Sequence, residues 1–489
     1  MEFAKCVEKQ LGNQTFTENG AVSNKSSFSY VLDYFSKCGS LRGNDEEAIE
    51  LFKAAYDESP MLARKILFYS RDIRGGTGER DTFRSVIKYL AKEHPADIIK
   101  NLKNIPEFGR WDDLYSLVDT NIESVIFEFM HEQLLQDEID MNNGKAISLL
   151  GKWLKSENTS SEISKKLAKV TRCYFRMTSK EYRQRLSKLR AYINIVESKM
   201  SSGDWDSIKY ENVPSRAMKL YTKSFTRHDE ERFSSYLKDV ANGKKKINAG
   251  TLYPYDIISR FLNKEITEDE EKTYELLWKN LPNYFEDGEY NTLAVIDVSG
   301  SMFSSKASIK PIEVAISLGL YMAEKNKGKL HDYFMTFSEN PVMVKIKGDT
   351  LKDKIKNISN AEWGCNTDLM KLFDLLLKTI IANKIPQEEI PKKIFIISDM
   401  QFDVATKSNK TTFEKIDEKF KKYKIKRPDL VFWNVNAKSD VPVLKDDNGT
   451  FLVSGASPSI LSHALNTKSQ TPYEFMIEVL TSERYSSIL

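Results

Sequence analysis

Leu293-Ala294-Val295-Ile296-Asp297-Val298-Ser299-Gly300-Ser301-Met302 is the stretch on which the fold turns. Its first four residues are continuously apolar and end at a carboxylate, the pattern of a short strand buried on both faces. Runs of the same kind return at Tyr333–Phe337, Ile394–Ile397 and Leu430–Val435. Between them lie segments with helical spacing of apolar residues: about 308–325, with Ile312, Ile316 and Leu320 on one stripe, then 350–358, 367–383 and 411–423. Strands alternating with helices predict a parallel sheet covered on both faces. Tyr473–Leu480 reads as a docking helix.

Upstream of about 285 the pattern is helical throughout. The segments 45–58, 60–71, 79–93, 112–118, 122–137, 144–156, 162–175 and 179–199 carry helical periodicity, as in Leu62, Ile66 and Tyr69 or in Leu167, Val170 and Tyr174. Short polar connections between them predict HEAT-like helix–turn–helix units packed as an all-helical solenoid or irregular bundle over 28–285. Residues 1–27 are rich in Asn, Ser and Thr and read as a flexible N-terminal arm. Glu265–Glu271 and Glu286-Asp287-Gly288 read as linker material, so the α/β part begins near 286 and runs to 489.

A length of 489 residues suits two domains, and 40% hydrophobic with 29% charged residues is the composition of a globular chain. No window reaches the roughly 18 apolar residues of a membrane helix. The four cysteines (Cys6, Cys38, Cys173 and Cys365) stand far apart, and five histidines form no HExxH pattern. A disulfide framework, a zinc knuckle and a membrane association are therefore not expected, and a cytoplasmic chain with free thiols is. The net charge of +3 is unevenly spread. Residues 151–250 carry 23 Lys and Arg against 11 Asp and Glu, while the fifty residues before carry 3 against 10 and the fifty after 4 against 11. A basic block between acidic flanks points to an anionic partner, although such blocks also occur as solvated helical surfaces.

In an open parallel sheet, ligands bind beyond the carboxyl ends of the strands. Asp297, Ser299 and Ser301 follow the first strand, Thr367 precedes a long helix, and Asp399 follows the strand Ile394–Ile397. Asp403 competes with Asp399 for the last position. Two carboxylates with two or three hydroxyls make a hard oxygen set suited to Mg²⁺ or Mn²⁺. Few protein charges around such an ion leave it able to take a carboxylate or phosphate oxygen from a partner.

These five positions resemble, in order and spacing, the metal-ion-dependent adhesion site (MIDAS) of von Willebrand factor A domains, over roughly 290–465. Such a domain behind a long helical region resembles the Ro autoantigen (TROVE-type) architecture, a ring of helical repeats closed by a von Willebrand A domain. Arg71-Asp72-Ile73-Arg74-Gly75-Gly76-Thr77-Gly78-Glu79-Arg80, Phe108-Gly109-Arg110-Trp111-Asp112-Asp113-Leu114 and Val213–Tyr221 are similar to markers of a related family found in large DNA viruses, plants and bacteria. The resemblance implies a ribonucleoprotein scaffold that binds small noncoding or misfolded RNA. The implication rests on architecture more than on motif.

Independently of it, Lys165, Lys169, Arg172 and Arg176 are spaced 4, 3 and 4 apart and share one helical face. Thr178 with Glu181 reads as a capping box, so a second helix starts there and carries Arg183, Arg185, Lys188 and Arg190. Lys244-Lys245-Lys246 follow in a loop, and Arg71, Arg74 and Arg80 flank a Gly-rich turn that lacks the ending of a phosphate loop. Tyr174, Phe175 and Tyr182 interleave with the cations but read as core, and Trp111 and Trp153 as packing anchors. The expected function is Ro-like RNA binding through this surface, to structured RNA or single-stranded ends, with a divalent ion for a ligand carboxylate or phosphate. The alternative is a metal-dependent protein-interaction adaptor that takes an acidic protein ligand. No general base stands near the metal positions, so no catalytic residue and no enzyme activity are expected.

Overall fold

The computed structural model describes residues 12–263, 265–285, 288, 290–303, 309–337, 341–359, 368–403, 410–436, 438 and 440–489, apart from the side chains of 263 and 337. Helices follow one another from Tyr30–Lys37 to Glu268–Lys279. Asp45–Glu58 and Pro60–Arg71 have the bounds that the apolar spacing predicts. Between them, Ser59 Oγ accepts from Leu62 N and Pro60 takes the first helical position, where its missing N–H costs nothing. The capping box at Thr178 forms as expected. Thr178 Oγ1 accepts from Glu181 N at 3.3 Å, and Glu181 Oε2 accepts from Thr178 N at 2.8 Å.

Two helices end earlier than their periodicity suggests. Asn194, at φ +60°, stops Ser179–Ile193, and the chain turns before Val196–Ser202. In place of a helix over 144–156, only Leu150–Trp153 is helical. The buried Asp137 carboxylate accepts from Ser148 N and Oγ and holds the preceding residues as a loop.

The second half is a six-stranded sheet of order β5-β4-β3-β6-β7-β8. The strands are β3 Thr292–Asp297, β4 Tyr333–Phe337, β5 Val342–Lys345, β6 Lys393–Ser398, β7 Asp429–Asn434 and β8 Thr450–Ser454. All neighbours are parallel except β5, which pairs antiparallel with β4, so the sheet is mixed rather than wholly parallel. Neither β5 nor β8 is legible in the sequence. β5 is a four-residue edge strand, and β8 is a five-residue run just behind Gly449, at φ +68°. Every residue of β3 and β6 is buried, as continuous apolar runs require. From β3 the chain turns one way to β4 and later the other way to β6. The reversal of strand order therefore lies between β3 and β6, where their carboxyl ends open a crevice.

Residues 12–27 are not an arm. They form a hairpin of β1 Gln14–Phe16 and β2 Val22–Asn24, laid against the sheet half. Asn24 pairs with Val441 and Gly20 with Asp403, while Ala21, Ser23 and Asn24 are buried. Polar composition suggested mobility because the acceptors that satisfy these Asn, Ser and Thr side chains lie near residues 400 and 440. Residues 1–11 lie outside the described residues.

The two halves are closely joined. Helix Tyr30–Lys37 packs on β8, Gly39 N donates to Ser454 Oγ at 3.0 Å, and helix Pro254–Asn263 packs on helix Pro311–Lys325. The helical run thus starts and ends on the sheet half. Segment 483–489 reaches back in turn: Arg484 pairs with the fully buried Asp72, and Asn101 Nδ2 donates to Leu489 O at 2.8 Å. Among the described residues no helix is long and apolar enough to cross a membrane.

Candidate metal centre and basic helical face

Asp297 ends β3 and Asp399 follows β6, and both carboxylates are fully buried at the crevice. Asp297 Oδ1 accepts from Ser299 N at 2.9 Å and Oδ2 from Ser398 Oγ at 2.5 Å. Asp399 Oδ1 accepts a long bond, 3.3 Å, from Gln401 N, while its Oδ2 has no hydrogen-bond partner among the described residues. The hydroxyls of Ser299 and Ser301 lie 3.1 Å apart, and Ser301 reaches Asp399. Burial, followed by the charge of Asp399, pushes the Asp297 carboxyl up to about 7. Burial also raises Asp399, with Glu18 adding to the rise while Ser301 and Lys438 oppose it.

Two buried carboxylates, an orphaned oxygen and two hydroxyls form a cradle in which neither carboxylate has an ion-pair partner among the described residues. The donor set fits a hard divalent cation: Asp297, Ser299, Ser301 and Asp399 would hold it, and water or a partner oxygen would fill the remaining positions. Thr367, the fifth expected ligand, lies outside the described residues. Among those residues no group of three or more His, Cys, Asp or Glu could hold a metal, so the site rests on hydroxyls as well as acids. The competitor Asp403 pairs through its backbone with Gly20 of the hairpin.

Ser398 and Gln401, beside the cradle, are not signalled by any motif. Ser398 steadies Asp297. Gln401 links the Asp399 loop to the hairpin: its Oε1 accepts from Glu18 N at 2.6 Å and its Nε2 donates to Asp440 Oδ1 at 2.8 Å. Asp440 Oδ2 in turn accepts from Ser23 Oγ at 2.7 Å, and Glu18 pairs with Lys438 at 2.7 Å. Only three-dimensional proximity brings residues 17–23 to residues 399–440.

The expected basic face divides when its partners are seen. Helices Glu162–Tyr174 and Ser179–Ile193 both pack on Glu123–Asn142. Lys169, Arg176, Arg183 and Lys188 are exposed and form no ion pair among the described residues. Lys165 pairs with Glu162, Arg172 with Glu157 and Arg185 with Glu138. Arg190 is a structural residue, donating to Gly151 O, Leu154 O and Ser156 Oγ. Lys244, Lys245 and Lys246 are exposed, but they follow Glu230–Ala241 in a different packed group with Ser215–His228 and Glu268–Lys279.

Arg74 is exposed, and Arg80 pairs with Asp81. Arg71 is unavailable to a partner, because it is buried in a pair with Asp113. Phe175 and Tyr182 are core residues. Tyr174 is partly exposed but stacks on Phe127, with ring centroids 4.6 Å apart. Trp111 is likewise buried against Phe129.

The Gly-rich turn has a packing explanation. A Cβ on Gly76 would stand 1.9 Å from Tyr69 O, and one on Gly75 would meet the Arg484 side chain at 2.6 Å. The motif is therefore a socket for the Arg484 guanidinium over Asp72.

Residues 17–146 and 143–287 match the family described as Domain of unknown function (DUF2828), and residues 291–484 match Domain of unknown function (DUF7788). The chain belongs to the DUF2828 family. A DUF2828 chain of this length has a relative in Uncharacterized protein L728 of Acanthamoeba polyphaga mimivirus, 30% identical over 511 aligned residues, 96% of this chain and 88% of that protein. In fold it is similar to the crystal structure of the Deinococcus radiodurans RO (RSR) protein, with a TM-score of 0.50 and 12% identity. That likeness covers 89% of this chain and 99% of the RO chain. It places this DUF2828 protein in the Ro-like arrangement of a helical half and a sheet half.

Proposed function

We propose that this protein is a non-catalytic, Ro-type RNA-binding scaffold. Its sheet half acts as a von Willebrand A domain that takes Mg²⁺ or Mn²⁺ at Asp297, Ser299, Ser301 and Asp399. The observation that carries the reading is the set of exposed cations Lys169, Arg183 and Lys188 on two successive helices, with Arg176 in the turn between them, in a Ro-like fold. Cations without carboxylate partners neutralise phosphates at little cost and give affinity without sequence preference. When bound, the ion would offer an open coordination position to a carboxylate or phosphate oxygen.

The test is RNA affinity across a salt series. Single-strand binding loses about 0.7 of log–log slope for each phosphate contact removed, so Gln at all four positions should flatten the slope by up to about 3 units. Asp297→Ala should leave the slope nearly unchanged, because the crevice belongs to the other half.

The orphaned Asp399 oxygen favours one alternative, an adaptor whose ion takes an acidic side chain from a protein partner. An unchanged slope in the four-fold variant would support that reading and sink RNA binding by this face.

A further inference from the structure

The buried ion cluster of the Phe108–Leu114 motif has more positive than negative charge. The 3₁₀ turn Trp111–Leu117 sets Asp112 and Asp113 side by side, 8% and 0% exposed. Asp113 takes Arg71 at 2.8 Å and Arg84 at 2.7 Å. Asp112 takes Arg84 and Arg110, each at 2.9 Å, and stands 4.0 Å from Lys155 Nζ. Two carboxylates therefore face four cations.

The carboxylates are almost fully buried, whereas the cations keep part of their side chains in solvent. Arg84, Arg110 and Lys155 are 26%, 31% and 25% exposed, although Arg84 Nη2 and Arg110 Nε are themselves buried. They are also firmly placed. The Arg110 guanidinium lies 4.3 Å from the centre of the Trp153 ring, and the Lys155 ammonium 5.3 Å from that of Tyr115. Partial burial, with help from neighbouring cations, holds both Arg110 and Lys155 below their usual range. A network serving stability alone gains nothing from unbalanced charge, since each uncompensated cation costs desolvation and repulsion. An anion held by the three part-exposed cations removes that cost.

We infer that Arg84, Arg110 and Lys155 form a phosphate-binding site. Guanidinium forks suit the oxygens of a tetrahedral phosphate, and a lysine adds a point charge. This inference rests on the RNA reading for the source of the phosphate, not for the site itself. The segment bearing Lys155 also touches both basic helices: Tyr182 Oη donates to Lys155 O at 2.8 Å, and Arg172 pairs with Glu157. The cluster is thus tied to the two helices that carry the exposed cations and can hold one phosphate of a strand bound there.

The experiment is calorimetry on the full chain with three probes: inorganic phosphate, a four-nucleotide uridine RNA, and the same RNA carrying a 5′ phosphate. Lys155→Gln and Arg110→Gln should weaken the tightest probe by about tenfold or more, the usual loss for one charge-assisted bond. Lys155→Arg should retain binding. Arg110 also pairs with Asp112 and covers Trp153, so its variant can lose structure. Lys155, at 4.0 Å, is the variant that leaves those pairs in place. Preference for the 5′-phosphorylated RNA, with competition by inorganic phosphate, assigns a terminal or free phosphate. Equal binding of both RNAs without that competition assigns a backbone phosphate. Failure of every probe to bind, or wild-type binding by a folded Lys155→Gln variant, overturns the site. If the Lys169, Arg176, Arg183 and Lys188 variant keeps its salt slope while the Lys155 effect persists, the RNA reading fails and the phosphate site stands.

Discussion

Asp297 carries the most informative chemistry of any single residue. Its folded-state carboxyl is raised to about 7, against an ordinary value of 3.8. Between those two values the folded chain retains a proton that the unfolded chain has released. Ion-free protein should therefore lose stability as pH rises from about 4 to about 7. A divalent ion competes with that proton, so its apparent affinity should fall about tenfold for each pH unit below about 7. Thermal melts with and without Mg²⁺ at pH 5 and pH 8 check this, and an equal ion-induced shift at both would contradict it. Asp297→Ala should abolish Mn²⁺ binding by calorimetry while the chain remains folded. Sequence spacing marks Asp297, Ser299 and Ser301 because their motif is local, and Asp399 because it directly follows an apolar strand run. It marks neither Ser398 as the partner of Asp297 nor the removal of Arg71, Arg172 and Arg190 from the surface. Those roles depend on contacts with residues 15 to 101 positions away.

At the level of elements, the hairpin β1–β2 is the feature that local pattern could not supply. Three-residue strands carry too little periodicity to register, and their polar side chains resemble those of a mobile segment. Long helices were legible instead, because an apolar stripe repeats over three or four turns. The hairpin turn supports the Asp399 loop through three bonds: Glu18 N to Gln401 Oε1, Asn19 Nδ2 to Gln401 O and Thr17 Oγ1 to Phe402 O. Gln401→Ala should therefore loosen that loop and weaken Mn²⁺ binding by roughly tenfold, on the order of one lost buried hydrogen bond. Calorimetry at pH 8 measures it, and an unchanged affinity would make the hairpin irrelevant to the cradle. The turn motif Arg71–Arg80 invites a similar test. Gly76→Ala should fail to fold stably, because its Cβ would overlap Tyr69 O, and the urea midpoint records the loss.

Across the whole molecule, the two-part plan was legible from the change of period near residue 290, whereas the seam was not. The seam is made of single side chains far apart in sequence. Asp72 is fully buried under Arg484 and also accepts from Tyr485 Oη at 3.1 Å. Arg484→Ala leaves that carboxylate short of a counter-charge. Discounted for the one-third exposure of the arginine, the cost should be about 2–3 kcal/mol in urea unfolding. Arg484→Lys should recover only part of it, since one ammonium cannot reproduce the guanidinium fork.

The pairing of residues 17–23 with 401–441, and of 72–104 with 484–489, also dictates an order of events during synthesis. When residues 12–24 leave the ribosome, the acceptors that make them a hairpin are almost four hundred codons from being translated. Asp72 waits about as long for its arginine, 412 positions further on. Helices of the first half can form as they emerge, but the cradle rim cannot close before residues 401–441 emerge, nor the Asp72 socket before segment 483–489 clears the exit tunnel. A nascent chain stalled at residue 480 should thus stay open to protease at the Asp72 seam even after release, whereas a chain carried through residue 489 and clear of the tunnel should be resistant.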